Sequence, residues 1–187
     1  MLAMLPGTTI ETELANISAV EQIFTPMFIP GGLVLSQVAE ITGLAPYTIQ
    51  NWVKRGFLTP PENKKYSKEQ LCRIILINAL KDVLQIEAVL ELIRYCNAFL
   101  SPNDPGYLSD TALYEWFAMS VIVWQQTPDQ GYACSAEKAI EHLLHGYRSP
   151  FAGAKRRLEK ALTIMLTAYQ SGLWKHRALQ QFKSLDT

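Results

Sequence analysis

The sequence predicts an all-α protein in which a helix-turn-helix with a short wing precedes a C-terminal helical domain. Three observations favour this fold. Apolar residues recur at helical intervals through most of the chain, glycine and proline bracket two short segments near residue 45, and a proline-containing basic turn follows them. With 187 residues, 49% of them hydrophobic and 18% charged, the chain can bury a substantial core.

The first predicted helix covers residues 10–24, because its apolar residues are close to a helical period. These residues are Ile10, Leu14, Ile17, Val20 and Phe24. Residues 25–32, which include two prolines and two glycines, should break that helix and form an apolar connector.

Two short helices joined through a glycine form the predicted helix-turn-helix. The first runs from about residue 37 to 42, with Ser36 as its N-cap and Gly43 as the left-handed residue that ends it. Pro46 suits the first turn of the second helix, which covers residues 46–55.

A basic wing is predicted over residues 60–66, since two prolines exclude helix there and Glu-Asn-Lys-Lys is typical of a turn. Ser67 and Gln70 form a capping box that opens a helix reaching about Val83. That helix is apolar on nearly every side and should be central to the core.

The strongest break in the chain is Ser-Pro-Asn-Asp-Pro-Gly at 101–106. We therefore predict a DNA-binding domain over 10–100 and a helical dimerisation or effector domain over 107–187. In the second domain, the last long helix is expected to be followed by a separate C-terminal piece that contains Leu179 and Phe182.

Positive charge is concentrated around the helix-turn-helix, although the whole chain has a formal net charge of zero. Between residues 51 and 81 there are seven basic residues and two acidic ones, which gives +5. The bases are Lys54, Arg55, Lys64, Lys65, Lys68, Arg73 and Lys81. Such a local concentration is what a nucleic-acid surface requires, and a solvated basic face is the alternative.

The second helix has the two faces that a recognition helix needs. Ile49, Trp52 and Val53 can pack inward. The outer positions, which we predict to contact DNA, hold Tyr47, Thr48, Gln50, Asn51, Lys54 and Arg55. Gln and Asn can pair with an adenine edge, and Lys and Arg can bind phosphates or guanine. The predicted site continues into the wing with Lys64, Lys65 and Tyr66.

These motifs resemble the MerR-like helix-turn-helix superfamily over about residues 33–95. The resemblance rests on residues 35–44, on Pro46, Ile49 and Trp52 with the Gly-Phe-Leu exit, and on 66–71. Residues 49–56, 64–67 and 80–86 are more similar still to an uncharacterised Gram-positive bacterial family that is known only as a domain of unknown function. MerR-like regulators usually have one arginine and two tyrosines where this chain has Gln50, Asn51 and Trp52, so the resemblance implies an altered phosphate clamp.

The function expected from these patterns is sequence-specific binding of double-stranded DNA in transcription regulation, by a homodimer whose contact lies in the C-terminal helices. Two alternatives stay open. One is an adaptor that reuses the helix-turn-helix to bind protein, and the other is a sensor in which the C-terminal domain binds a small-molecule effector. Tyr107, Tyr114, Trp116, Trp124 and Tyr132 are the candidate pocket residues.

No enzyme signature, cofactor motif or membrane-spanning segment is expected, and three scattered cysteines with no basic N-terminal signal favour the cytoplasm. His142 and His145, three residues apart, and Cys134 are candidate metal ligands. We favour partly buried histidines near a helix end, since no fourth ligand is evident. Cys72 and Cys96 fall in apolar helical patterns and should be buried.

Overall fold

The all-α class is confirmed in the computed structural model, which describes residues 3–12, 18–97, 100–104, 107–126 and 135–186. The helices are α1 (Ser18–Met27), α2 (Leu35–Thr42), α3 (Pro46–Lys54), α4 (Lys68–Leu80), α5 (Ile86–Cys96), α6 (Asp110–Gln126), α7 (Ser135–Leu143) and α8 (Ala154–Lys183), and a 3-10 turn over Ser184–Asp186 follows. Four two-residue strands form two antiparallel pairs, β1 (Ala3–Met4) with β2 (Glu11–Thr12) and β3 (Leu33–Val34) with β4 (Lys65–Tyr66).

The core is built around α4, as its sequence predicts. Seven of its thirteen residues are completely buried, namely Leu71, Cys72, Ile74, Ile75, Leu76, Ile77 and Leu80. This helix contacts α2, α5, α6 and α8, so apolar side chains on all its sides are removed from water. The helix-turn-helix and the C-terminal helices therefore share one central element.

The prediction of a helix over residues 10–24 is wrong at its N-terminal end. Ile10 precedes a strand, and α1 begins at Ser18 and continues through Pro26 to Met27. A tight turn forms instead, because the Leu5 amide donates to the Ile10 carbonyl at 2.9 Å and the Ile10 amide donates to Thr8 Oγ1 at 3.1 Å. The expected contributions of Leu14 and Ile17 lie outside the described residues.

This N-terminal hairpin fastens the helix-turn-helix to the rest of the molecule. The Thr9 amide donates to the Ile41 carbonyl at 2.8 Å, near the end of α2. Asn78 of α4 donates through Nδ2 to the carbonyls of both Gly7 (2.9 Å) and Thr42 (2.8 Å). The buried Tyr114 hydroxyl of α6 donates to the Pro6 carbonyl at 3.0 Å. One short segment thus bonds to three helices.

Contacts between the two predicted domains are extensive. Arg73 of α4 makes two hydrogen bonds to the Asp110 carboxylate of α6, at 2.6 and 3.2 Å. The Thr111 amide donates to Glu69 at 3.2 Å. Buried apolar residues from Leu5 to Ala168 form one continuous cluster. The domain boundary at 101–106 stays a prediction.

The separate C-terminal piece that we expected around Leu179 and Phe182 is instead the last part of α8. This helix runs for 30 residues without interruption. Its sequence has no glycine or proline after Gly172, so nothing in it ends the helix before Lys183.

Replacing Gly7 with alanine tests the hairpin. Gly7 has φ +76°, and a Cβ there would lie 2.4 Å from the Ile75 carbonyl oxygen and 3.0 Å from the Ala79 Cβ. We expect Gly7→Ala to lower the free energy of unfolding by roughly 3 kcal/mol or more in urea denaturation, since overpacking adds to backbone strain.

Gly146→Ala is the matched control, because Gly146 has φ +80° with nothing within 4 Å of an added Cβ. It should cost only the backbone strain, about 1–2 kcal/mol. Equal losses in the two variants would show that the hairpin does not pack tightly against α4.

Candidate nucleic-acid interface

The helix-turn-helix forms where the sequence places it. Gly43 has φ +67° and ends α2 in the left-handed conformation, and Pro46 opens α3. The N-terminus of α2 differs from the prediction. Val34, rather than Ser36, is its N-cap residue, and the Val34 amide donates to Gln37 Oε1 at 3.0 Å. Ser36 therefore lies in the first turn, where its side chain is exposed.

The two faces of α3 are confirmed. Ile49 is completely buried, Trp52 is 5% exposed and Val53 is half-buried, so this side packs on the body. Exposed side chains at helical spacing occupy the other side, and they are Tyr47, Gln50, Asn51 and Lys54. Thr48 is half-buried at the edge of this outer face. A rigid inner side therefore holds a polar outer side in place.

The wing is a minimal hairpin with a two-residue turn. The Lys65 amide donates to the Glu62 carbonyl at 2.8 Å, and Asn63 and Lys64 have φ of +48° and +62°. Two consecutive left-handed residues are typical of a type I′ turn. Asparagine tolerates this conformation, whereas lysine is strained in it. The turn therefore presents the exposed Lys64 at its tip at some cost in stability.

The wing is fixed at both ends. β4 pairs with β3, with Tyr66 opposite Leu33 and Lys65 opposite Val34. The Ser67–Gln70 capping box is confirmed, since the Gln70 amide donates to Ser67 Oγ at 3.2 Å and the Ser67 amide donates to Gln70 Oε1 at 2.8 Å. Gln70 Nε2 also donates to the carbonyls of Thr59 (2.9 Å) and Pro60 (3.0 Å). One side chain thus caps α4 and holds the extended segment that enters the wing.

A groove of about 700 Å³ separates α3 from the wing. Gln50 and Lys54 line one wall from α3, Lys64 lines the other from the wing, and Leu35 and Ser36 line it from the first turn of α2. The lining residues are Val34, Leu35, Ser36, Gln50, Val53, Lys54, Pro61, Lys64 and Tyr66. The structure thus brings together four of the predicted contact residues, Gln50, Lys54, Lys64 and Tyr66, in one concave surface. Neither lysine has a hydrogen-bond or ion-pair partner among the described residues.

Three of the predicted contact residues are engaged elsewhere. Arg55 lies 3.4 Å from the Glu87 carboxylate of α5, and its guanidinium is 4.5 Å from the Phe57 ring centroid. Lys65 Nζ donates to the Pro30 carbonyl at 2.7 Å. Tyr66 is only 3% exposed, and burial raises the pKa of its hydroxyl. Tyr66 therefore supports the wing from the core and presents little surface to a partner.

The local charge of +5 is largely neutralised by residues from outside residues 51–81. Asp110 pairs with Arg73, Asp82 with Lys81 (3.4 Å) and Glu87 with Arg55. Burial raises the pKa of Asp110, although the Arg73 guanidinium opposes this shift. The positive charge left at the groove is that of Lys54 and Lys64.

The structure places several other candidates away from any shared site. His142 and His145 are both exposed, which contradicts our expectation of partial burial, and Cys134 lies outside the described residues. No group of three or more potential metal ligands occurs among the described residues.

Cys72 and Cys96 are buried as predicted, and burial raises the pKa of each thiol to about 12. In the described part of the chain, no helix is both long and apolar enough to span a membrane.

Two of the candidate effector residues pack against aromatic side chains from outside the candidate set. Tyr114 stacks on Phe24 with ring centroids 5.9 Å apart, and Trp116 meets Tyr147 edge to face at 5.5 Å. Trp124 is half-buried, and Tyr132 lies outside the described residues. Tyr107 lines an open groove of about 1030 Å³ behind the wing, next to Arg73 and Asp110.

Sequence reasoning missed the part that β3 and the first turn of α2 play in the groove. Val34, Leu35 and Ser36 all line it. The apolar periodicity contains no signal for this role, because the position of these residues depends on the pairing of β3 with β4. Ser36 stood out only as a supposed N-cap.

The chain belongs to a family of unknown function. Residues 17–117 match the family described as "Domain of unknown function (DUF1836)". The chain is also 29% identical over 122 residues to "Uncharacterized protein YkrK" of Bacillus subtilis (strain 168). That match covers 60% of this chain and 52% of the relative, so the chain aligns with about half the relative's length. No solved structure matches significantly.

The strain at the wing tip gives a prediction about stability. Lys64→Gly should raise the free energy of unfolding by about 0.5–1 kcal/mol, because glycine adopts a positive φ without a Cβ penalty. Lys64→Ala removes the same charge but keeps the Cβ, and so it should give no such gain. Urea denaturation of both variants measures the difference, and identical stabilities would rule out strain at this position.

Proposed function

We propose that the protein is a sequence-specific DNA-binding transcription regulator of MerR-like type, with α3 in the major groove and the wing on the flanking backbone. The observation that supports this most is the concave surface between α3 and the wing, which has an unpaired lysine on each wall. Lys54 lines the groove from α3 and Lys64 from the wing, so both can contact whatever enters it.

The chemistry of the outer face of α3 suits base edges. Gln50 and Asn51 each offer an amide that can pair with adenine at N6 and N7. Tyr47 is 68% exposed at the start of the helix, where the first residues of a recognition helix approach the bases. Lys54 at its end and Lys64 on the wing can bind phosphates, which position the protein without specifying sequence.

The first turn of α2 adds a second means of binding phosphate. In a helix-turn-helix the first helix crosses the DNA backbone, and its N-terminal amides carry partial positive charge. Leu35 and Ser36 of this turn line the groove beside Lys64. The Ser36 hydroxyl is exposed and can donate a further hydrogen bond.

An adaptor that binds protein is the second candidate, and one observation favours it. Five of the nine residues that line the groove are apolar, namely Val34, Leu35, Val53, Pro61 and Tyr66. A groove of this composition could hold an apolar side chain from a partner. The choice between the two candidates depends on whether DNA binds through ionic contacts at the groove.

Fluorescence anisotropy of a labelled random duplex against salt concentration tests ionic binding. We expect Lys54→Ala/Lys64→Ala to flatten the log–log salt dependence by about 1.8, since each lost phosphate contact contributes roughly 0.9. Lys155→Ala/Lys160→Ala is the matched control. It removes the same charge from exposed positions on α8, outside the groove, and should leave the slope unchanged. No binding by the wild-type protein at low salt would favour the adaptor.

Base recognition makes a separate prediction once binding sequences have been selected from a random pool. Gln50→Ala should lose about 1–3 kcal/mol of discrimination at one base pair, with the salt slope unchanged, because an amide contacts bases rather than phosphates. Competition assays against single-base variants of the selected site measure this loss. A uniform loss across all sequences would show that Gln50 does not read a base.

A further inference from the structure

The C-terminal part of α8 exposes large apolar side chains. Residues that face the body are buried as far as Gly172, but every residue from 173 to 185 is exposed. Phe182 is 67% exposed, Leu185 is 78% exposed and Trp174 is 40% exposed. Five of the chain's exposed large hydrophobic residues fall within these thirteen positions. Single exposed apolar residues need no explanation, but a cluster of them marks a binding surface.

Several of these side chains share one side of the helix. Successive helical residues are about 100° apart, so spacings of three and four keep residues on one face. We call this side the outer face of α8, and it comprises Ile164, Trp174, Ala178, Phe182 and, in the following 3-10 turn, Leu185. The buried residues Leu158 and Met165 lie on the opposite side of the helix. The outer face is therefore not an extension of the core.

The same part of the chain carries positive charge. No acidic residue occurs between Glu159 and Asp186, whereas four basic residues do, namely Lys160, Lys175, Arg177 and Lys183. The Arg177 guanidinium lies 5.3 Å from the centroid of the Trp174 ring, so charge and aromatic surface are adjacent. A partner that covers the outer face must therefore accept both apolar side chains and positive charge.

The inner side of the same segment is anchored to the body. Lys175 Nζ donates to the Asp82 carbonyl at 3.0 Å, and His176 Nε2 lies 2.8 Å from Asp82 Oδ2. Asp82 follows the end of α4, so these contacts hold α8 with its outer face directed away from the body.

We propose that the outer face of α8 binds the surface of an anionic phospholipid bilayer, with the helix lying in the plane of the headgroups. Helices that bind in this way combine Trp, Phe and Leu with Lys and Arg, and their apolar side enters the bilayer by about 5–10 Å. Trp174 suits the headgroup level, where aromatic side chains are enriched. The long stems of Arg177 and Lys183 let their charges reach the lipid phosphates while Phe182 is buried.

Charge favours anionic lipid over a second copy of the chain. Two copies would bring the like charges of Arg177 and Lys183 together, whereas anionic headgroups neutralise them. Each Lys or Arg near an anionic bilayer strengthens binding by about fivefold. Duplex DNA would also satisfy these charges, but its backbone would leave Phe182 and Leu185 in water.

The pattern of the outer face also suits lipid. A helix that packs on another helix needs apolar residues at regular intervals along the seam. The exposed polar residues Thr167 and Ser171 interrupt the outer face between Ile164 and Trp174. A bilayer surface imposes no such register, because lipids adapt to side chains that are unevenly spaced.

Cosedimentation of the full chain with vesicles tests the proposal. The probes are phosphatidylcholine vesicles with about 30% phosphatidylglycerol and vesicles of phosphatidylcholine alone. We expect binding to the anionic vesicles at low salt and binding at least tenfold weaker to the neutral ones, since two cations contribute about fivefold each. Phe182→Ser/Leu185→Ser should weaken binding to the anionic vesicles by about tenfold or more, because both side chains enter the bilayer. An unchanged thermal unfolding curve shows that this variant is folded.

Two control variants should bind the anionic vesicles as the wild type does. Met4→Ser/Ile29→Ser is the apolar control, since these residues are 52% and 82% exposed outside α8. Lys54→Ala/Lys64→Ala removes the charge of the groove, which lies on other elements, so the test does not depend on the proposed function. No binding by the wild type, or loss of binding in either control, would overturn the proposal. A dimer that the α8 serine pair dissociates, with vesicle binding unchanged, would assign the outer face to a second copy.

Tryptophan fluorescence locates the contact. Trp174 is 40% exposed, whereas Trp52 is 5% exposed and Trp116 and Trp124 are half-buried. Anionic vesicles should shift the wild-type emission to shorter wavelength, because Trp174 leaves water. Trp174→Phe should still bind the vesicles and lose this shift. A shift that persists in Trp174→Phe would place the contact elsewhere and would overturn the proposal.

Discussion

The enclosure of α4 by other helices is the constraint on which the rest of the structure depends. A helix that is apolar on nearly every side is stable only when other elements cover all of it, and α2, α5, α6 and α8 do so here. Two of its amide side chains then fix the candidate interface. Gln70 holds the entry to the wing through Thr59 and Pro60, and Asn78 joins the end of α2 to the N-terminal hairpin. The groove between α3 and the wing owes its shape to these bonds.

The sequence predicted the elements that are specified by local chemistry. Gly43 and Pro46 set the limits of the turn between α2 and α3, and the Ser67–Gln70 capping box set the start of α4. The inward face of α3 followed from the spacing of its apolar residues alone. Each of these features depends on residues within about four positions of one another, where propensity and capping act directly.

Long-range contacts were not predictable from the same patterns. Ile10 fits a helical period, but its place is set by a turn and by the bonds of the neighbouring Thr9 to Glu40 and Ile41, more than thirty positions away. Arg73 looked like part of a basic surface until Asp110, 37 residues further on, proved to be its partner. The charge of +5 was a property of the sequence segment, and the charge at the groove is that of two lysines. The composition of residues 51–81 therefore overstates the positive charge that the groove offers to DNA. The geometry of the groove becomes the stronger argument for binding DNA.

A titration of the isotope-labelled protein with a random 20-base-pair duplex, followed through its backbone amide NMR signals, tests the central claim most directly. The account predicts that the largest shifts occur in residues 34–36, 47–54 and 61–65, which surround the groove. The signals of 173–185 should stay unchanged, since none of these residues lines the groove. Shifts confined to other surfaces, or none at low salt, would contradict the assignment of this groove to DNA.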